Sequence, residues 1–236
     1  MKFFQVCRSC KFAASLAMLT FIMAPLQSQA GLIYDLADDW SIGSQPSGAW
    51  QYGNYDNGLG GNFTQFGVSG NGGVVGVDDL TSLEFWSNGG DPNIIKNTGT
   101  TFTTQDLDQI TFNADAVTFG PYLGPAVARW TATFAGLYAF ESSFNTVQVG
   151  NTAPKAYVSV NGTQTSLGTL NALIAHSGQV SLSSGQWIDF IVWGDNSGNK
   201  TTEVSATITS VPEPAILSLL ALSLLSMSAV RRRRKD

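Results

Sequence analysis

Thiols and imidazoles are nearly missing from this chain. Its two cysteines, Cys7 and Cys10, both lie ahead of an apolar run from Phe12 to Leu26, and His176 is its one histidine. Lys2, Arg8 and Lys11 precede that run, and Ser28-Gln29-Ala30 follows it with small residues at the two positions a signal peptidase reads. Residues 1–30 therefore read as a secretory signal peptide, cut between Ala30 and Gly31. The cysteines leave with it, and no cysteine stands just after the run where a lipoprotein signal needs one. The exported part has no thiol for a disulfide or a metal, and one histidine excludes a zinc site of the usual ligand types, so no metal site is expected from these residues. His176 has Ser177 as its neighbour, facing the other way on a strand, and nothing else supports a Ser-His-Asp arrangement.

Positive charge is the second scarcity. Residues 31–210 hold four basic residues (Lys96, Arg129, Lys155 and Lys200) against fifteen acidic ones, a net charge of −11, while the whole chain stands at −5. Phosphate binding rests on Lys and Arg, so nucleic acid and anionic lipid are poor partners for this body, whereas neutral polymers remain allowed. About 180 residues suffice for one domain with a core, and no fixed-period repeat or long linker divides them.

Period-two alternation is what the body has. Ala128, Trp130, Ala132 and Phe134 share one strand face opposite Arg129, Thr131 and Thr133. Tyr138, Phe140 and Phe144 continue after Gly136, which predicts a hairpin around Ala135-Gly136. Ala156, Val158 and Val160 alternate up to Asn161-Gly162, a strong hairpin signal with Thr163 to Leu167 as the return strand. Another turn is expected at Ser183-Ser184-Gly185. Ile188, Phe190 and Val192 then face one way and Trp187, Asp189, Ile191 and Trp193 the other, before Val204, Ala206 and Ile208 supply a last inward face. Short apolar pieces between glycine-rich turns in residues 31–120 predict strands without fixing their registers. The fold class that follows is all-β, a β-sandwich or jelly roll, flanked by the signal helix and a C-terminal transmembrane helix.

Carboxylate pairs (Asp38-Asp39, Asp78-Asp79, Asp106 with Asp108) sit in turn-like or polar contexts, and adjacent strand positions face opposite ways, so no catalytic residue is assigned and the chain does not read as an enzyme. No cofactor is expected. Two oxygen-rich loops, Asn54-Tyr55-Asp56-Asn57-Gly58 and Asp195-Asn196-Ser197-Gly198-Asn199, leave calcium open, since hard cations take oxygen ligands, but Asp and Asn are also ordinary turn residues. Aromatic rings beside Asp and Asn are what a sugar needs, an apolar face to stack on and polar atoms for its hydroxyls. Trp50, Tyr52, Trp187, Asp189 and Trp193 are the ligand-binding candidates on that ground; the alternative is that such rings are core, or lie under a segment of the N-terminal half.

Four landmarks in the body carry a resemblance: Arg129-Trp130, Gly136-Leu137-Tyr138, Val158-Ser159-Val160-Asn161-Gly162 and Gly185-Gln186-Trp187-Ile188-Asp189-Phe190. Upstream, Trp50-Gln51-Tyr52-Gly53 and Pro92-Asn93-Ile94-Ile95 add to it. Together they resemble a recurrent ectodomain of PEP-CTERM and related exported proteins that looks like a carbohydrate-binding-module type of jelly roll, which implies glycan association. Phe119-Gly120-Pro121 stands where that family often shows His-Pro-Gly, and Glu203 is nearest to its late aspartate.

The C-terminal residues 211–236 have three parts. Val211-Pro212-Glu213-Pro214 should stay extended, because each proline removes a donor and disfavours helix before it. Ala215 to Val230 would span about 24 Å as a helix, short of the roughly 30 Å hydrocarbon core. Arg231, Arg232, Arg233, Arg234 and Lys235 should hold the cytoplasmic side, with everything before Pro212 outside. This tail resembles the PEP-CTERM sorting signal of Gram-negative surface proteins, which implies an exosortase-type membrane peptidase as partner, alongside signal peptidase. A permanent tail anchor, or a buried core helix that comes last in the chain, is the alternative. The expected product is an exported, non-catalytic protein of the cell surface or exopolysaccharide matrix. It starts as an inner-membrane-anchored precursor, touches membrane only through its tail, and binds extracellular polysaccharide. A structural or adhesive matrix protein with no ligand pocket is the other reading, and a polysaccharide hydrolase the third.

Overall fold

A computed structural model of the chain describes residues 31–71, 82–90, 92–100, 103–105, 110–122, 124–148, 152–194 and 201–212. Leu32–Val211 form one compact unit. The signal segment up to Ala30 and the tail from Glu213 to Lys235, with their expected helices, lie outside the described residues, as do Asp78-Asp79, Asp106, Asp108 and the Asp195 to Asn199 loop.

Sixteen strands carry the unit: β1 (Ile33–Asp35), β2 (Trp50–Tyr55), β3 (Phe63–Gln65), β4 (Val68–Asn71), β5 (Leu83–Ser87), β6 (Asn93–Asn97), β7 (Thr103–Gln105), β8 (Ile110–Phe112), β9 (Val117–Gly120), β10 (Ala126–Thr131), β11 (Gly136–Thr146), β12 (Lys155–Val160), β13 (Thr163–Thr169), β14 (Ile174–Leu182), β15 (Trp187–Trp193) and β16 (Thr202–Val211). An eight-stranded sheet runs β14-β11-β16-β9-β6-β5-β4, with β1 also paired to β16, and a six-stranded sheet runs β13-β12-β15-β10-β2-β3. Their facing residues form the main core, so the architecture is a β-sandwich. Tyr138, Phe140, Phe144, Val204, Ala206 and Ile208 come from the larger sheet, and Trp50, Tyr52, Ala128, Trp130, Ile188 and Phe190 from the smaller. Ring pairs bridge the layers: Trp130 meets Tyr138 edge-on at 4.9 Å, and Phe140 meets Phe190 at 6.3 Å. Such offset geometries suit the ring quadrupoles.

The Asn161-Gly162 hairpin is present as β12–β13, with φ of 49° and 84° at its two turn residues, the left-handed pair that a tight two-residue connection needs. The hairpin expected around Ala135-Gly136 is not. β10 and β11 belong to different sheets, and Ala132 to Ala135 turn the corner between them. That corner is pinned by Ala132 N–H to Gln186 carbonyl and Gly185 N–H to Ala132 carbonyl, both 2.8 Å, and by the Tyr138 hydroxyl donating to the Phe134 carbonyl at 2.7 Å. The Ser183–Gln186 turn is therefore a second corner, carrying the chain from β14 back to β15. Phe134, expected inward, is 44% exposed, because regular alternation stops at Thr131.

β7 and β8 pair with each other in a two-stranded sheet, and Ile110 of β8 also bridges Gln148. Ile110 and Phe112 of β8 bury Leu83 and Ile95 on the outer face of the larger sheet. Thr111 N–H donates to the Val147 carbonyl at 3.0 Å.

Candidate functional site

The outer face of the six-stranded sheet gathers the polar and aromatic residues of the sequence landmarks. Antiparallel pairing puts Arg129 of β10 directly opposite Asp189 of β15, and Asp189 opposite Ser159 of β12. Arg129 donates from Nε to Asp189 Oδ1 at 2.7 Å and from Nη2 to Oδ2 at 2.9 Å, a bidentate pair. The Tyr55 hydroxyl donates to the same Oδ2. Phe63 lies 4.1 Å from the guanidinium carbon and Trp187 4.6 Å, so rings cover the cation from two sides. Phe63 lies close over β2 at Gly53, where a Cβ would fall 2.8 Å from its ring.

Asp189 is fully buried and Arg129 only 15% exposed. Burial pushes the Asp189 carboxyl above the ordinary aspartate range, while the Arg129 guanidinium, and after it the Tyr55 and Trp187 side chains, pull it down. The usual outcome of burying a charge without a partner, neutralisation, is thus opposed by a partner built into the next strand.

Of the five ligand-binding candidates, three lie together on this face. Trp187 is half-buried against Arg129, and Trp193 is half-buried with its ring 6.3 Å from that of Tyr157. Asp189 has both oxygens engaged inside the protein and offers none to a ligand. Trp50 and Tyr52 are not surface residues at all. Strand β2 turns them into the main core, where Trp50 packs 6.0 Å from Phe190 and donates to Asp39 Oδ2 at 3.3 Å, and Tyr52 packs 4.6 Å from Trp40. The alternation that made Trp187 and Trp193 outward holds for β15. In β2 it selects the opposite outcome, because the outward positions are Gln51, Gly53 and Tyr55. Tyr157, outward on β12 between Ala156 and Val158, was not singled out in the sequence, although the same alternation marks it.

The β2–β3 loop crosses part of this face, its Gly58 lying beside Trp193. Leu59 and Phe63 pack on a small cluster of Tyr55, Val127 and Ile191. Asp56 of the oxygen-rich loop serves the turn: its carboxylate accepts from the Thr64 hydroxyl, and its N–H donates to the Asn62 carbonyl at 2.9 Å. Asp39 likewise accepts from Asp35 N–H and Trp50. Among the described residues no three His, Cys, Asp or Glu side chains come together.

On the opposite side of the molecule, a shallow depression of about 450 Å³ lies over β11, β14 and β16, lined by Glu141, Ser143, Ala175, Ser177, Ser205 and Thr207. The His176 ring lies tilted against Phe140, centroids 5.6 Å apart. Of the tail, Val211 ends β16 paired with Leu137, Pro212 is exposed, and Gly31 precedes β1.

No protein-family model and no curated protein matches the chain. Among solved structures, a family 35 carbohydrate binding module from Clostridium thermocellum aligns over 39% of this chain and 75% of its own at 16% identity, TM-score 0.26. One from an environmental isolate aligns over 51% and 98% at 15% identity, TM-score 0.30. Pika GITRL does so over 42% and 97% at 15% identity, TM-score 0.27. With scores this low, fold and site rest on the chain's own geometry.

Alkaline titration reads the buried hydroxyls. Burial, with Asp39 near Tyr52 and Asp189 near Tyr55, pushes both phenols well above the ordinary value of about 10. Folded values above unfolded ones give a contribution that is complete below pH 10 and lost above it, as the unfolded chain releases protons the native state keeps. Denaturant midpoints should hold to about pH 10 and then fall, each group adding up to about 1.4 kcal/mol per pH unit. A flat profile to about pH 11.5 would contradict the burial of these hydroxyls.

Proposed function

We propose that the chain is an exported, non-catalytic component of a bacterial surface or exopolysaccharide matrix. Its tail directs sorting by an exosortase-type peptidase, and its sandwich binds neutral glycan on the outer face of the six-stranded sheet. The observation that carries the binding reading is the set of half-buried rings, Phe63, Trp187, Tyr157 and Trp193, fixed on one sheet face around a buried ion pair. Partly exposed rings give a sugar an apolar surface, and the strands hold them without an ordering cost at binding. The sorting reading rests on the order of proline motif, apolar run and basic end in residues 211–235.

Trp193 and Tyr157 are the cleaner probes, because Trp187 also covers Arg129. Trp193→Ala and Tyr157→Ala should each weaken binding on a panel of neutral polysaccharides about tenfold, about 1.4 kcal/mol, with melting little changed. Full affinity in both variants would remove this face from the proposal. For sorting, Pro212→Ala, Glu213→Ala and Pro214→Ala together should leave the precursor in the membrane, unprocessed; normal surface display would reject the sorting role. The alternative, a structural matrix protein without a ligand pocket, is favoured by one fact: Asp189, the polar centre of the face, is wholly consumed by internal partners.

A further inference from the structure

Free sheet edges present unpaired N–H and C=O groups, and proteins blunt them with short strands, bulges, proline or charge. Among the described residues, all but one of the edge strands of the two main sheets are blunted. β1 and β3 have three residues each and β4 four, while β13 contains a register shift opposite Ala156/Tyr157 and carries Gly168 at φ 114°. β14 is different. It runs nine residues, Ile174–Leu182, with no charge, no proline and an unbroken register against β11, and among the described residues nothing pairs with its other edge.

We infer that β14 is a homotypic docking edge, through which two copies of this chain join by antiparallel β14–β14 pairing centred on Gly178. The strand complements itself about that centre. Ile174 would oppose Leu182 of the second copy, His176 Val180, Ala175 Ser181, and Ser177 Gln179. Ile174, His176, Val180 and Leu182 share the half-buried or buried inner face, and Ala175, Ser177, Gln179 and Ser181 the exposed outer one. On the inner face apolar positions therefore meet apolar or aromatic ones, and on the outer face small or polar positions meet small or polar ones, which is the condition for an isologous two-fold contact. Charge limits where such a contact can form. The body carries −11, so a second copy is tolerated only where the contact strip is itself uncharged, and β14 is the long uncharged edge. Pairing would also make one continuous sheet of two larger sheets, with both depressions beside Ser177 on a single face.

Register-specific crosslinking tests this in the full chain, held in detergent micelles in a Cys7→Ser, Cys10→Ser background so that no native thiol interferes. Directly opposed residues in an antiparallel pair lie about 4.5–5.5 Å apart at Cα, within disulfide range, whereas a residue one position off centre is displaced from its own copy by two positions along the strands and lies beyond it. Ser177→Cys with Gln179→Cys should give at least tenfold more oxidised dimer than either single cysteine. Association measured by sedimentation should weaken at least tenfold in S177K/Q179K, which sets lysine against lysine, and return in S177K/Q179E, which sets lysine against glutamate. Both side chains are exposed, so each variant should keep the parent melting temperature. Equal crosslinking by the single cysteines, unchanged association in S177K/Q179K, or a parent chain that stays monomeric would overturn the inference. Contact through the apolar tail alone gives the first two results.

Discussion

Replacing Arg129 with methionine is expected to cost the body about 3–5 kcal/mol, the penalty for leaving a buried charge without its partner. Asp189 is fully buried on a strand whose other face is core, and Arg129 supplies two of its hydrogen bonds. Methionine keeps the apolar stem between Phe63 and Trp187 but removes both donors, so the Tyr55 hydroxyl would be left as the side-chain donor to the carboxylate. The loss has a pH signature. An uncompensated buried carboxyl titrates above the unfolded value of about 3.9, so the deficit should be smallest below about pH 4 and grow as pH rises. Removing the charge as well, in R129M/D189L, should recover most of the stability, since an apolar pair of similar volume often replaces a buried ion pair at little cost. Urea midpoints at pH 4 and pH 7 for the three proteins decide it. An R129M chain within about 1 kcal/mol of the parent at pH 7 would mean that water reaches Asp189.

Trp50→Ala should be equally severe, at about 3–5 kcal/mol, through the cavity left in the main core. The indole is fully buried between the sheets, packed on Phe190 and bonded to Asp39. The value of this variant is that it separates two meanings of an aromatic residue. If Trp50 were a sugar platform, its loss would abolish binding and leave the melting curve alone. The buried position requires the reverse: a large drop in denaturant midpoint, and unchanged affinity per folded molecule. Trp193→Ala should show the opposite pattern, and the two variants measured side by side calibrate each other.

The contrast between Trp50 and Trp193 also shows what the sequence can and cannot carry. Alternation from Ala126 to Ile208 was legible because β10, β11, β15 and β16 each turn one face to the core, and the inward sets of Ile188, Phe190, Val192 and of Val204, Ala206, Ile208 are as expected. Asn161-Gly162 was legible because its turn geometry is local. The Ala135 corner was not: a short glycine-containing connection serves a hairpin and a crossing between sheets equally well, and only the packing of Trp130 on Tyr138 decides. In the N-terminal half, β6 (Asn93–Asn97) is buried on both faces, by the main core under Ile94 and by β8 over Ile95, so it has no alternation to read. The candidate site shows the same limit. Arg129 and Asp189 were each visible as landmarks, but sixty residues of chain separate them, and their pairing depends on the register of β10 against β15.

β16 has a consequence in time. It is the plank between β11 on one side and β9 with β1 on the other, and it pairs Thr209 with Ile33, nearly the full length of the body apart. Without its ten residues the larger sheet falls into two pieces, β14-β11 and β9-β6-β5-β4, with β1 attached to neither. A chain that emerges N-terminus first can form hairpins such as β12–β13 early, but it has no closed sandwich until residue 211 arrives. Closure of the body and arrival of Pro212 are then nearly one event, so the folded state itself marks a chain that is present through residue 211.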